Sequence, residues 1–491
     1  MKRISAMVFA AVLVLSLLCG CDLLSGDIEQ QLVLPPVTGP TMKISQQLRS
    51  EISDDVTLVY ADRGRHQNPV GFTDINGDGV DETVISYRSA SAYPDSPDAV
   101  HLRIYIRSDE ELNAVFDIEG LGSGLDMYDF GDLDGDGAPE LVAGYILSND
   151  NSRVFCIYSL DFETGTVEPV LTKTYTDWVM TDMDGNGVSD IVYIYSDVLH
   201  RNSYIRLVKY NSISRGIKEY FGLYDRLAYS SGMSRLTSAR ATDGTNCIIV
   251  SYAQSAMLMS NEVFSWDKSS GMIVNHAVAA TGEVGSVVSG LSDRFCTLGR
   301  YLPSDIDGDG ITEIPMCYTF SEETVAWNLS QSRDRLLYRY TWYAFSGEDG
   351  QLQKKYVGYI NDALNYIFLV SDERLYDFMR VYRDSENNLE FYYYDRIAYM
   401  KYYEEYQAEL EKNPDAAVGM NIPKKMTLLF TVRAAEQPGD SGFVIGRNAD
   451  SYFILEVEPG LSEELLEYVP KSDILSDCLI CTSIISGDES K

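Results

Sequence analysis

Apolar runs rich in β-branched and aromatic residues, bounded by polar turns, recur along most of this chain and predict strands rather than helices. Four runs share one register: Thr83-Val-Ile-Ser-Tyr87, Leu141-Val-Ala-Gly-Tyr145, Ile191-Val-Tyr-Ile-Tyr195 and Ile314-Pro-Met-Cys-Tyr318. Each ends in tyrosine and follows a short, acidic, glycine-rich loop. Between these units the runs come in pairs. Residues 100–106 and 112–118 flank Ser108-Asp-Glu-Glu111; residues 154–158 and 167–171 flank Glu163-Thr-Gly165; residues 340–345 and 353–357 flank Gly347-Glu-Asp-Gly350. Two β-rich runs around a polar turn predict a hairpin. One repeat is therefore an inner strand, an acidic loop, a second strand and an outer hairpin.

The loops read Asp74-Ile-Asn-Gly-Asp-Gly-Val-Asp-Glu82, Asp132-Leu-Asp-Gly-Asp-Gly-Ala-Pro-Glu140, Asp182-Met-Asp-Gly-Asn-Gly-Val-Ser-Asp190 and Asp305-Ile-Asp-Gly-Asp-Gly-Ile-Thr-Glu313. Oxygen-bearing side chains fall at loop positions 1, 3, 5 and 9. They are Asp74, Asn76, Asp78 and Glu82; Asp132, Asp134, Asp136 and Glu140; Asp182, Asp184, Asn186 and Asp190; Asp305, Asp307, Asp309 and Glu313. Alternate positions of a tight turn converge on one point, and glycine at positions 4 and 6 supplies backbone angles that other residues resist. Hard oxygen ligands at this spacing, without histidine or thiolate, point to calcium. The carbonyl of position 7 (Val80, Ala138, Val188, Ile311) is the expected fifth ligand. An EF-hand is excluded, because it needs a bidentate glutamate at position 12 and flanking helices. Position 12 here is Ile85, Ala143, Tyr193 or Met316, inside a strand pattern. About four Ca2+ ions are expected, one per loop.

The same register exposes a decayed fifth copy before Tyr252. It has Ala239 at position 1, Ala241 at 3, Asp243 at 5, Gly244 at 6 and Cys247 at 9, so its strand survives and its ligands do not. Repeat starts at 74, 132, 182, 239 and 305 are spaced by roughly 50 to 65 residues, which fits one four-stranded propeller blade per repeat. Asp-x-Asp-x-Asp-Gly-x-x-[Asp/Glu] followed by an apolar strand resembles the FG-GAP/VCBS repeat, over about residues 68 to 320. That resemblance implies an all-β fold, a calcium-bearing β-propeller like that of integrin α-subunits and many bacterial surface proteins, with ligands at loop positions 1, 3, 5, 7 and 9. Asn76 and Asn186 replace aspartate, and the phenylalanine-glycine signature is only partly present, as Phe130-Gly131. Propellers host unrelated activities, so the resemblance does not name a function.

The N-terminus predicts a location. Met1-Lys-Arg3 is basic, residues 6–18 are apolar but too short for a stable span, and Leu18-Cys-Gly-Cys21 resembles a bacterial lipobox. Residues 1–20 are thus expected to be a lipoprotein signal peptide, with Cys21 lipidated and the protein held on the extracytoplasmic face of a bacterial cytoplasmic membrane. Residues 21–54, with Leu34-Pro-Pro-Val-Thr-Gly-Pro40, are expected to form a tether. The propeller is expected to occupy 55–470. Val56-Thr-Leu-Val-Tyr60 is its first strand, placed to close the ring against the last blade. Beyond Tyr318 the repeat fades. Strand-like runs at 366–370, 378–382, 389–394, 426–432, 443–446 and 452–457 bring the total to about seven blades, within a range of six to eight. Residues 396–412 read as a helical insertion ended by Asn413-Pro414, or as the start of a separate domain, and 471–491 as a C-terminal tail.

Composition narrows the function classes. The formal net charge is −35. Fifteen of the acidic groups lie in the four loops, and four calcium ions would offset about eight charges. The remainder argues against nucleic acid and anionic lipid surfaces as partners. Cys156, Cys247 and Cys317 sit in apolar strands and suit buried thiols, while Cys478-Leu-Ile-Cys481 fits a local disulfide or two core thiols better than zinc. The four histidines, His66, His101, His200 and His276, form no metalloprotease or nucleophile-elbow motif. No catalytic residue is assigned. Among thirty-five tyrosines the densest group, Tyr392-Tyr-Tyr394 with Tyr399, Tyr402, Tyr403 and Tyr406, is a candidate platform for a protein or glycan ligand. The expected function is a non-enzymatic binding or adhesion module. The alternative is a lyase-like, polysaccharide-active enzyme, which requires basic residues converging on one pocket.

Overall fold

The computed structural model describes residues 47–48, 50–52, 56–89, 99–108, 111–147, 152–197, 202–211, 216–221, 234–253, 258–276, 295–298, 301–318, 337, 339–347, 351–370, 378–394, 401, 404–405, 408, 412, 426–438, 442–448, 450–471 and 478–481. The expected signal peptide and Cys21 lie outside them.

The described chain folds into successive antiparallel sheets that follow sequence order, as the blades of a β-propeller do. The second blade is the plainest: Gly124–Gly131, Glu140–Ile146, Arg153–Asp161 and Thr166–Tyr175 pair in that order. The third repeats it with Asp177–Thr181, Asp190–Asp197, Asn202–Asn211 and Gly216–Phe221. The fourth uses Ser234–Arg240, Asn246–Ala253, Leu258–Asp267 and Met272–Asn275. In the first blade, Glu82–Arg88, Val100–Ser108 and Glu111–Glu119 follow an inner strand made of two pieces, Thr57–Leu58 and Val70–Thr73. The fifth contains Phe295–Leu298, Glu313–Tyr318, Arg339–Ser346 and Gln351–Asn361, extended by Tyr366–Leu369 and Leu479–Cys481. A sixth sheet orders Met379–Arg383, Leu389–Tyr394, Met426–Ala435, Tyr452–Val457 and Phe443–Arg447. Six blades are thus formed by the described residues, the lower end of the expected range.

Why these runs form blades is visible in where their two faces go. Successive side chains of a strand point to opposite faces. Along Glu140–Ile146, Leu141 and Ala143 pack with Val84, Leu102 and Phe116 of the first blade. Val142 instead packs with Ile191, Tyr193 and Val208 of the third. The same alternation continues: Val192 and Ile194 meet Ile248 and Phe264, and Cys247 and Ile249 meet Ile314, Met316 and Phe345. Each interior strand is buried on both faces, which is why its sequence reads as an almost continuous apolar run. Phe391 and Phe430 stack 4.4 Å apart at the start of the sixth blade's core, shared with Phe368 of the fifth.

Three sequence expectations are corrected here. Thr57–Leu58 pairs with Tyr87 and Arg88 of its own blade rather than with the last blade. It continues the edge of Glu82–Arg88 that Val70–Thr73 pairs only as far as Ile85, so the strand completes the first sheet locally. The stretch expected to be tether contributes to the fold: Leu48 is fully buried, and with Val56 it covers Ile85, Tyr87 and Tyr105 on the outer face of the first blade. Glu51 fixes it there, accepting from Arg103 at 2.8 Å and from Tyr105 at 2.9 Å. The region expected as a C-terminal tail supplies the strand Leu479–Cys481. Within the expected helical insertion, residues 401, 404, 405, 408 and 412 are helical and exposed, an i, i+3, i+4, i+7, i+11 set that marks one solvent face. A second short helix, Glu463–Leu466, is capped by Ser462.

Candidate metal centres

All four acidic loops fold in one way. The first aspartate spreads its two carboxylate oxygens over the turn: Asp132 accepts from Gly135 N–H at 2.6 Å and Gly137 N–H at 3.0 Å. Asp74 and Asp305 do the same with Gly77 and Gly79 and with Gly308 and Gly310. Asp182 holds Asn186 and Gly187. The glycines at positions 4 and 6 have φ between 71° and 88°, the left-handed region that side chains resist. The residue at position 5 accepts from the N–H two residues on, as Asp136 does from Ala138 at 2.7 Å. The acid at position 9 closes the loop by accepting the N–H of position 2. Glu82 does so from Ile75, Glu140 from Leu133, Asp190 from Met183 and Glu313 from Ile306, at 2.8 to 3.0 Å.

Among the described residues this geometry brings three acids together in three of the four loops; Glu140 and Asp309 lie outside those groups, and the acids of the first loop form none. Ligand oxygens of Asp132, Asp134 and Asp136 lie within 4.8 Å of one another, as do those of Asp182, Asp184 and Asp190 and of Asp305, Asp307 and Glu313. In the first loop Asn76 holds position 3, accepting from Asp78 N–H at 2.9 Å. The backbone of position 7 closes each turn through its N–H, as Val80 does on Asp78. The loops also touch one another: Ser189 N–H donates to the carbonyl of Asp132 at 2.7 Å.

The electrostatics of the position 9 acids are set by burial. Glu82, Glu140, Asp190 and Glu313 are at most 3 % exposed. Burial, with the neighbouring carboxylates, pushes Glu140 up to about 7. Burial likewise lifts Asp190 to about 7, against the pull of Lys209. Glu82 and Glu313 are raised for the same first reason. In the third loop, Asp184 Oδ1 is buried with no hydrogen-bond partner. Crowded, buried carboxylate oxygens fit a hard divalent cation, which satisfies the lone pairs and removes the repulsion together.

The decayed fifth copy is explained by packing. Ala239, Ala241 and Cys247 are buried in a cluster with Ile314 and Met316, so apolar contacts between the fourth and fifth blades stand where the other loops carry acids. Gly244 keeps its positive φ, but the loop has shortened to a turn in which Ala241 N–H donates to Thr245 C=O. Asp243 remains alone and accepts from Thr245 N–H.

Two features were missed in the sequence. Lys355 Nζ donates to Asp307 at 3.0 Å, Asp309 at 2.6 Å and Glu313 at 2.7 Å, inside the fourth loop. Lys209 bonds Asp184 of the third loop and lies 4.8 Å from the Trp266 ring. Both lysines sit in hairpin strands far along the chain, with no local signal. The second feature is a buried ion cluster across the inner strands. Arg63 of the first blade bonds Asp126 of the second at 2.7 Å and also Asp177 of the third; Asp177 in turn accepts Leu236 N–H of the fourth at 2.7 Å.

Other candidates are occupied structurally. Tyr392 donates to Glu390, Tyr393 stacks on Phe378, and Arg380 lies 4.2 Å over the Tyr394 ring; the remaining tyrosines of that group are outside the described residues. His66 stacks on Tyr128 and His101 on Tyr87. Cys156 and Cys247 are buried thiols.

No protein-family model matches the chain, and no curated protein matches it. Among solved structures it is similar to a protein from Lactobacillus plantarum, at 12 % identity and TM-score 0.30, covering 62 % of this chain and 94 % of that one. It is similar to the β-propeller domain of the Trilobed protease from Pyrococcus furiosus, at 10 % identity and TM-score 0.28, covering 67 % and 78 %. It is also similar to the Dos1 propeller, at 9 % identity and TM-score 0.26, covering 69 % and 81 %. The assignment as a propeller stands on the sheet order given above.

Proposed function

We propose that this protein is a calcium-stabilised β-propeller, anchored through lipid on Cys21 to the extracytoplasmic face of a bacterial membrane, that serves as a binding or adhesion platform for a protein or glycan. The observation that carries the calcium reading is the fourfold recurrence of one loop geometry. In it a buried acid at position 9 is raised by burial and faces further carboxylates. Positions 1, 3, 5 and 9, with the position 7 carbonyl, would hold the ion. The bound cation supplies positive charge that neutralises these acids; the chain's own N–H groups already fix the turn. The ion is therefore structural, a rivet at one end of each blade that carries an acidic loop, and it keeps the binding surface in shape. Arg63 and Arg153 are engaged with the buried Asp126, Arg63 as a joint between blades and Arg153 within the second blade, which makes them structural rather than a sugar-binding patch. The platform reading is accordingly preferred to the lyase-like one. Calcium titration of the full chain, followed calorimetrically, tests the calcium reading. Saturable binding near 0.1 to 1 mM, of the order seen for extracellular modules, is expected, with Asp134→Ala removing one ion. No heat of binding and no bound calcium would refute it. A glycan array and pull-down with calcium present test the platform.

A further inference from the structure

The fourth loop contains a cation of its own, and the reason it does lies in a strand irregularity. In the fifth blade Trp342 pairs with Tyr356 and Tyr343 with Lys354, so Lys355 is the extra residue of a β-bulge. A bulge re-aims the side chain it carries. The same bulge occurs at the equivalent place in two other blades. Ile104 pairs with Phe116 and Tyr105 with Ala114, leaving Val115; Ile157 pairs with Leu171 and Tyr158 with Pro169, leaving Val170. The equivalence is fixed by register. Thr83, Leu141 and Ile314, each directly after the position 9 acid, pair with Tyr105, Tyr158 and Tyr343. One backbone device thus carries valine at this register position in the first two blades and lysine in the fifth, where the side chain enters the fourth loop.

From the bulge, Lys355 reaches three of the four expected ligand side chains of loop 305–313, with Tyr356 hydroxyl on Asp307 at 2.5 Å. Among the described residues no lysine or arginine bonds the carboxylates of the first two loops. In the third, Lys209 touches Asp184 alone, and the other oxygen of Asp184 stays without a partner. We propose that Lys355 is an intramolecular counter-ion that takes the calcium position of the fourth loop, so that this loop holds calcium far more weakly than the second. An ammonium and a divalent ion cannot share a site a few ångströms wide without strong repulsion. The fifth blade is then stabilised without metal, and the protein carries one calcium fewer than its loop count. This rests on the calcium reading of the other loops.

The test is a reciprocal exchange in the full chain, with bound calcium counted by equilibrium dialysis and affinities measured by calorimetry. Lys355→Met is expected to add one ion and to raise the affinity of that loop at least about tenfold. Val170→Lys, at a side chain 42 % exposed and so tolerant of change, is expected to remove one ion from the second loop. If both variants bind calcium in the same number and with the same affinities as wild type, the proposal is overturned while the calcium reading stands. If Lys355→Met fails to fold, Val170→Lys decides alone. If neither wild type nor variants bind calcium, the calcium reading fails and takes this proposal with it.

Discussion

Replacing Arg63 by alanine should cut deep into the stability of the first three blades. Its guanidinium makes three hydrogen bonds to Asp126, at 3.0, 3.1 and 2.7 Å, and a further one to Asp177. Both carboxylates are buried, with side chains 0 % and 3 % exposed. Truncating one partner of a buried pair leaves charge without compensation, at a cost of about 3–5 kcal/mol. Here Asp126 retains Arg153 at 3.1 Å, and Asp177 retains the N–H of Leu236. The loss should therefore fall near the lower end, about 3 kcal/mol. The pH dependence has a definite sign. Arg63 holds Asp126 below its usual range against the opposing effect of burial, so Asp126 contributes stability above about pH 4. That contribution is lost as pH falls through its lowered pKa. The deficit of Arg63→Ala should accordingly be full at pH 7 and shrink below pH 4. Asp177→Asn in the Arg63→Ala background should recover part of the loss by removing one stranded charge. Urea unfolding of wild type and the two variants at pH 7 and pH 3.5 measures this. A deficit under about 1 kcal/mol at pH 7, the range of exposed pairs, would show that the cluster does not join the blades.

Two further outcomes are expected. Leu48→Ala should cost about 2–5 kcal/mol, because a fully buried leucine is replaced by a cavity against Ile85 and Tyr105; deleting residues before 55 should destabilise at least as much, whereas a pure tether would leave the melt unchanged. Cys21→Ser should move the protein from the detergent phase to the aqueous phase in phase partitioning while the propeller stays folded; equal partitioning of variant and wild type would show that Cys21 carries no lipid.

The loops and their strands were legible in the sequence because both are local patterns. An oxygen-bearing side chain every second residue and a tyrosine thirteen residues after the first aspartate need no tertiary knowledge, and Glu82–Arg88, Glu140–Ile146 and Glu313–Tyr318 form where the register put them. The decayed copy was legible for the same reason. Contacts between distant segments were not. Arg63, Asp126 and Asp177 carry no local signal until the bend that holds Arg63 meets the inner strands of the second and third blades. Leu48 sits in a region whose proline-rich neighbour suggested a spacer, yet it packs with Val56 on the apolar face formed by Ile85, Tyr87 and Tyr105 of the first blade. Lys355 is one of two adjacent lysines in a hairpin strand, and only a bulge invisible in sequence decides which of them enters the loop.

Thermal unfolding of the full chain with excess calcium and with a chelator tests the central claim most directly. Each ion bound at 0.1 to 1 mM affinity should add about 1.4–2.7 kcal/mol at 10 mM calcium. The melting temperature should rise clearly with calcium, and rise less in Asp134→Ala. Superimposable melts with calcium and with chelator would contradict it.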